Sequence, residues 1–280
     1  MRYAWIYSLC IVTCLSGIAL WRGEFSVKLI SVPMEGLGSE MDPSEASQIL
    51  NQPYRFLAKG RQSFVFESQD GLWVVKFFNS KYLEMPWYSF ALWDQTRELS
   101  KRKRRQSFYL QSYALANSHL KEETGIVYLH NGITRDLPVV EVQDKTNHLF
   151  LIDLNKVPFV IQKKGELLCH RLKKMGSNDE IKLVLNQFLE LIATRISKGI
   201  ADGDHDVQHN FGYLDGRVIH LDPGRLFVEN LTNPARQTHE WWSATHSLRK
   251  WLQINAPEHV SDFDQQVIFW KDSVPLEFVF

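Results

Sequence analysis

A change of texture near the middle of the chain constrains its fold more than any other feature. Between Tyr54 and Gln162, short apolar runs recur between turn residues, and one long helical stretch interrupts them. Strands are expected over Phe64 to Glu67, Trp73 to Phe78, Gly125 to His130, Val139 to Val142, Leu149 to Leu154 and Val157 to Gln162. Asp70-Gly71 supplies the positive φ angles of a tight hairpin turn between the first two. The interruption, Phe90 to Leu120, places Tyr109, Tyr113 and Ala116 on a helical spacing. After Lys163-Lys164-Gly165 the pattern becomes helical: Asn178 to Lys198, Gln237 to Ile254 and His259 to Lys271. A short hairpin turning at Asp215-Gly216 stands among these helices. The order predicts an α+β fold in which a β-rich lobe precedes a mainly helical one. No internal repeat is visible.

The chain has 280 residues, 44% hydrophobic and 23% charged, which suits one two-lobed globular domain. A formal net charge of +0 argues against a global pull toward nucleic acid, so no nucleic-acid partner is expected. Of the three cysteines, Cys10 and Cys14 lie in an N-terminal apolar stretch and Cys169 stands alone, which suggests neither a disulfide framework nor a cysteine zinc site. That stretch, Ala4 to Leu20, carries no charge and lies between Arg2 and Arg22. Its length falls between a signal-peptide core and a full span. A single-pass signal anchor at residues 1–22 is the expectation carried forward. The alternatives are export after cleavage near Ser16 to Ala19, a lipoprotein signal ending at Cys14, and a buried core helix. Residues 23–52 read as a linker, interrupted by Pro33, Gly36, Gly38 and Pro43, with order beginning near Tyr54.

The chemistry concentrates in Asp202-Gly203-Asp204-His205-Asp206-Val207-Gln208-His209-Asn210 and in the apolar Val218 to Leu221 run that ends in Asp222-Pro223-Gly224. Upstream, Leu57 to Val65 places Ala58, Gly60, Ser63 and Val65 where a G-x-G-x-x-G-x-V phosphate loop has its three glycines and its valine. Lys76 closes Val74-Val75-Lys76 inside an apolar run, where an ammonium needs a partner.

From about Leu57 to Leu226 these motifs resemble the protein-kinase-like superfamily, including its aminoglycoside-phosphotransferase-like members with a His-Gly-Asp loop. The resemblance implies a kinase-like two-lobed fold, with an N-lobe over 53–165 and a C-lobe over 166–280. It implies that Ala58, Gly60, Ser63, Val65 and Lys76 bind ATP, that Asn210 and Asp222 hold Mg²⁺, and that Asp204 orients the acceptor hydroxyl. Asp202 and Asp206 are the reserves for that last role, because Asp204 precedes Asn210 by six positions where the family has five. Glu98 is the best-placed partner for Lys76. The implied activity is transfer of a γ-phosphoryl group to a hydroxyl on a protein or small molecule. The C-lobe is shorter than in typical protein kinases, and only one glycine of the loop survives. A membrane-tethered pseudokinase acting as a binding module is therefore the alternative.

Other patterns were weighed against these. Asp202-x-Asp204-x-Asp206 begins like a calcium loop, but Val207 and Tyr213 stand where it needs Gly and Glu. His205-x-x-x-His209, with Glu229, sketches a zinc metallohydrolase and would need a helix carrying both histidines. Ala256-Pro257-Glu258 reads as a helix start. The Lys101 to Arg105 run reads as a solvated helix face that could also meet anionic lipid.

Overall fold

The computed structural model describes residues 25–30, 43–80 and 95–273. A 3₁₀ turn at Val27–Ile30 and helix α1 (Pro43–Leu50) precede the strands β1 (Tyr54–Lys59), β2 (Ser63–Ser68) and β3 (Trp73–Phe78). Helix α2 (Gln95–His119) and the single turn α3 (Lys121–Thr124) lead to β4 (Ile126–His130), β5 (Val139–Gln143), β6 (Leu149–Asp153) and β7 (Phe159–Lys163). These strands form one seven-stranded sheet in the order β4-β7-β3-β2-β1-β5-β6. Every neighbouring pair is antiparallel except β1 with β5.

The second half starts with β8 (Glu166–Leu167), α4 (Leu168–Lys174), α5 (Asn178–Ser197) and β9 (Ile200–Asp202). It continues through α6 (Val207–Asn210), β10 (Phe211–Leu214), β11 (Arg217–His220), β12 (Leu226–Val228), α7 (Pro234–Asn255) and α8 (Val260–Ser273). β10 and β11 turn at Asp215 and Gly216, whose φ angles of 49° and 83° suit the expected hairpin. Helix α7 starts where Asn233 accepts from the amides of Ala235 and Arg236, with Pro234 in its first turn. Pro257 opens a 3₁₀ turn that runs into α8, so Ala256-Pro257-Glu258 is a helix start. The chain is thus α+β, with strands first and helices after, as the texture change predicts.

Period-two alternation gives the large sheet two different faces. Phe64, Phe66, Val75 and Phe77 lie on one; Ser63, Val65, Lys76 and Phe78 lie on the other. The first face is covered by Phe25, Ile30, Ala46 and Leu50, all buried. The Phe25 ring meets those of Phe64 and Phe66 edge-on at 5.2 and 4.9 Å. The expectation of a linker over 23–52, with order starting near Tyr54, therefore gives way in its described part. A sheet face paved with phenylalanines needs a cover, and this segment provides it. The sequence reading also left β1 unassigned, because its outer half is exposed and lacks a clean alternation.

Helix α2 covers the second face. Tyr109, Tyr113, Ala116 and Leu120 pack against Phe78, Ile126, Leu129 and Val160 of the sheet and against Ile200 and Leu226 of the second half. The helical half has its own core around Phe188, Leu189 and Ile192 of α5 and Trp241 and Leu248 of α7. The apolar stretch Ala4 to Leu20, Cys10, Cys14 and the first residues of the helix expected from Phe90 lie outside the described residues. Among those described, no helix is long and apolar enough to cross a membrane.

Ile30 is fully buried against the sheet. Ile30→Ala should destabilise the protein by about 2–5 kcal/mol, the usual range for a buried isoleucine truncated to alanine. Urea unfolding of the two proteins measures this, and an unchanged midpoint would return residues 25–50 to the status of a linker.

Candidate active site

Lys76 stands in the middle of a row that crosses the sheet. Ala58 pairs with Val65, Val65 with Lys76, and Lys76 with Val160, so all four side chains lie on the face toward the second half. Ala58 reaches this row through a register shift at Leu57, an extra residue in β1 that lets Phe56 pair with Phe66 on the opposite face. Gly60 closes the β1–β2 turn, its amide donating to the Ser63 carbonyl at 2.9 Å. Ser63 is buried at the start of β2, within hydrogen-bonding reach of the Tyr109 hydroxyl. Of the predicted nucleotide residues, Ala58, Ser63, Val65 and Lys76 therefore share one face, with Gly60 in the turn beside it.

The buried Lys76 ammonium donates to the Leu221 carbonyl at 2.5 Å and approaches the Tyr113 hydroxyl at 3.4 Å. Burial lowers its pKa, and the neighbouring Asp222 carboxylate opposes that shift. Glu98 is not its partner. That carboxylate bonds Arg102 one turn along the same helix, at 2.9 Å. α2 brings tyrosines to the lysine instead. The hydroxyls of Tyr113 and Tyr109 lie 3.1 and 3.3 Å from Asp222 Oδ1, which also accepts from the Gly224 amide at 3.3 Å. Burial, then the Asp222 charge, pushes both phenols well above their ordinary value, so they stay neutral donors. A Cβ at Gly224 would stand 1.8 Å from Tyr109 Cε2, so only glycine admits this ring.

Asn210 and Asp222 meet because the β10–β11 hairpin returns the chain to its starting point, Phe211 pairing with His220. The Asn210 backbone carbonyl accepts from the amides of Leu221 at 2.7 Å and Asp222 at 3.3 Å. Its side-chain nitrogen donates to the Asp204 backbone carbonyl at 2.9 Å. With the amide nitrogen fixed in this way, the amide oxygen is the end left for a cation. Two hard oxygen donors from converging segments, an amide and a carboxylate, fit Mg²⁺, which takes its remaining ligands from water and phosphate.

The three aspartates of the loop have different environments. Asp206 caps α6 by accepting from the Gln208 amide at 3.0 Å and pairs with His209 at 2.7 Å. Asp202 is buried. Its Oδ1 accepts from the Asp204 amide at 2.8 Å, while Oδ2 stands 3.5 Å from His220 Nε2 and 3.9 Å from His205 Nδ1. Beneath it, the buried pair Arg195–Glu240 joins α5 to α7 at 2.6 Å, and the same Glu240 oxygen accepts from the Asp202 amide at 3.1 Å. Asp204 alone of the three is exposed with a carboxylate that takes part in no hydrogen bond, on a backbone held from both sides.

Reading the sequence alone missed Tyr109, Tyr113, Gln162, Arg195, His220 and Glu240. The spacing of Tyr109 and Tyr113 marked one helical face but not the carboxylate they meet. Arg195 and Glu240 gave no signal, since each is a lone charge in an amphipathic helix. The zinc pattern is not assembled: α6 begins at Val207, beyond His205, and the two imidazoles approach different carboxylates.

Burial raises Asp202 from 3.8 to about 7, lowers His205 to about 4 and holds His220 well below its ordinary value. Asp202 Oδ2 and His220 Nε2, 3.5 Å apart, are both buried and make no hydrogen bond among the described residues. Between about pH 4 and 7 the unfolded chain has released the Asp202 proton while the native state keeps it, so this group's contribution to stability falls as pH rises. The two histidines act in the opposite sense, and they are common to wild type and variant. Asp202→Asn should therefore gain stability relative to wild type as pH moves from 4.5 to 7.5. Urea unfolding at the two pH values tests this, and a pH-independent difference would contradict it.

No family model matches this sequence, and no curated protein matches it. Among solved structures, the fold is similar to the high-resolution crystal structure of WbdD, with TM-score 0.41 and 14% identity over 87% of this chain and 47% of that one. A structure described as the bifunctional kinase-methyltransferase WbdD gives TM-score 0.40 and 15% identity over 87% and 48%. A co-crystal of WbdD with the kinase inhibitor LY294002 gives 0.39 and 13% over 79% and 46%. The chain thus spans about half the length of these proteins, and a likeness at this level says nothing of chemistry.

Proposed function

We propose that this protein is a kinase-like phosphotransferase using ATP and Mg²⁺, with the Ala4 to Leu20 stretch as its membrane anchor. The observation that carries the reading is the convergence of three separate segments. Lys76 lies on the carbonyl of Leu221, Asp222 is the next residue, and the Asn210 backbone binds both while its side chain holds Asp204. Such a set supplies a cation for phosphates, two oxygens for a metal and an exposed carboxylate for an acceptor.

In this reading Lys76 binds the α/β-phosphates, with the Ala58–Val65–Lys76 row as the floor of the nucleotide site and the Gly60 turn above the phosphates. Asn210 and Asp222 would hold Mg²⁺, which when bound would supply positive charge against the phosphates. Asp204 orients the acceptor hydroxyl and takes its proton. The acceptor oxygen forms a bond to the γ-phosphorus, and the β–γ bridging bond breaks with its electron pair leaving on ADP. Positioning by a preorganised backbone supplies most of the rate.

One observation favours the binding-module alternative. Three donors already converge on Asp222 Oδ1, two of them tyrosine hydroxyls in a packed core. A protein that kept this arrangement in the presence of nucleotide would bind without turnover.

ATP with Mg²⁺ should raise the melting temperature, as any ligand confined to the native state must, and Asp222→Ala should abolish the shift. Asp204→Asn should keep the shift and lower phosphoryl transfer about 10²- to 10⁴-fold. A thermal-shift titration followed by a ³²P-transfer assay reads both. A shift without transfer in wild type selects the binding module, and no shift in a folded protein rejects both readings.

A further inference from the structure

A cavity of about 920 Å³ opens beside the Asp222 turn, and its walls come from three parts of the chain. Arg61 projects from the β1–β2 turn, Lys101, Arg102, Arg104 and Arg105 from α2, and Arg225 from just beyond Gly224. The acid among the lining residues is Glu98, whose carboxylate is bonded to Arg102. Six cationic side chains thus face one carboxylate in a chain whose formal net charge is +0. Arg61, Lys101, Arg104, Arg105 and Arg225 are exposed, and none makes an ion pair among the described residues.

This concentration is unfavourable in the absence of a counter-charge. Lys101 repels Arg104 and Arg105 across one turn of α2, where like charges three and four apart destabilise a helix. Arg61 and Arg225 are brought in from other segments to the same concavity, so the charge is a convergent site and not a stripe along one solvated helix. Guanidinium forks bind phosphate in two-pronged fashion, and four of the unpaired cations are arginines. The volume lies in the range of small-molecule sites. Tyr109 forms part of the wall, and its hydroxyl reaches Asp222 on the far side at 3.3 Å.

We propose that this cavity binds a small ligand bearing several phosphate groups. Resting on the phosphotransferase reading above, that ligand is the acceptor: its free hydroxyl oxygen bonds the γ-phosphorus, its proton passes to Asp204, and ADP departs with the bridging electron pair. The ligand chemistry is a cluster of phosphomonoesters, either on a soluble molecule or on a lipid headgroup.

The test is calorimetric titration of the full chain with inositol hexakisphosphate in EDTA at about physiological salt, where surface charges further apart than a Debye length are screened. One site is expected, weakened at least about tenfold by Arg104→Glu/Arg105→Glu and also by Arg61→Ala/Arg225→Ala. ATP with Mg²⁺ should leave the affinity unchanged. Loss of binding in the helix pair alone would reduce the site to a charged stripe and overturn the proposal. Competitive displacement by ATP would overturn it too, by making the cavity the nucleotide's own phosphate site, and so would absence of binding. Binding of inositol hexakisphosphate without any ATP-dependent thermal shift would keep the cavity and remove the phosphotransferase reading. Titration with dioctanoyl phosphatidylinositol bisphosphate beside inositol trisphosphate separates the sources: tighter binding of the lipid assigns a membrane headgroup, and equal binding a soluble ligand.

Discussion

A buried ammonium on a backbone carbonyl joins the two halves of this molecule. Lys76 comes from the centre of the sheet, Leu221 from the end of the hairpin in the helical half, and their contact is 2.5 Å long. Burying a lysine costs several kcal/mol unless its charge is met, so the arrangement survives only with its partners in place. Leu221 also accepts from Gln162 Nε2 at 3.1 Å, and that nitrogen donates to the Thr124 carbonyl at 2.6 Å. Two adjacent strands thus share one carbonyl. The next residue in the chain is Asp222, whose position beneath the sheet follows from the same contact. Its negative charge offsets part of the desolvation that lowers Lys76.

Helix α2 acts on this centre through neutral hydroxyls. A glutamate here would have neutralised Lys76 directly. The tyrosines instead donate to Asp222, and the Tyr113 hydroxyl also accepts from Lys76 at 3.4 Å. Packing enforces the choice: Tyr109 and Tyr113 stack edge-on against Phe78 at 5.6 and 5.5 Å, in an apolar cluster that has no place for a carboxylate. The position of α2 is consequently coupled to the Asp222 carboxylate, and any ligand at Asp222 Oδ1 competes with three donors. Of the two, Tyr109 also lines the basic cavity, so one side chain touches both the cavity and Asp222.

Much of this was legible in the sequence where local physics decides the outcome. Alternation located β2 and β3, Asp70-Gly71 and Asp215-Gly216 located their turns, and apolar spacing located α5, α7 and α8. Type and spacing single out Lys76, Asn210 and Asp222, and the hairpin between the last two explains why their backbones meet. What escaped depends on long-range partners. Phe25 and Ile30 carry no period, and their burial requires knowing that a sheet face awaits a cover. Glu98 was chosen by position in a helix whose rotation the sequence does not fix, and that rotation presents tyrosines to the lysine. The basic cavity needs Arg61, Arg225 and the α2 run to be adjacent, and more than a hundred residues separate its ends.

The spacing of the loop, one residue longer than the pattern it resembles, has a physical explanation in the imidazole of His205. Asn210 still reaches back to the carbonyl of Asp204, as a loop that fixes its acidic residue must. The extra residue is absorbed before α6, where His205 turns inward toward Asp202 and Asp206 takes up the cap of the helix. Three aspartates that look interchangeable in sequence are thereby sorted by environment: one buried over the Arg195–Glu240 pair, one spent on a helix end, one exposed. In the phosphotransferase proposal the acceptor's proton needs a carboxylate that is reachable and free of internal donors, and among the described residues Asp204 alone of the three meets both conditions. The added residue places His205 between the exposed Asp204 and the capping Asp206, and its imidazole nitrogen stands 3.9 Å from the buried Asp202 carboxylate.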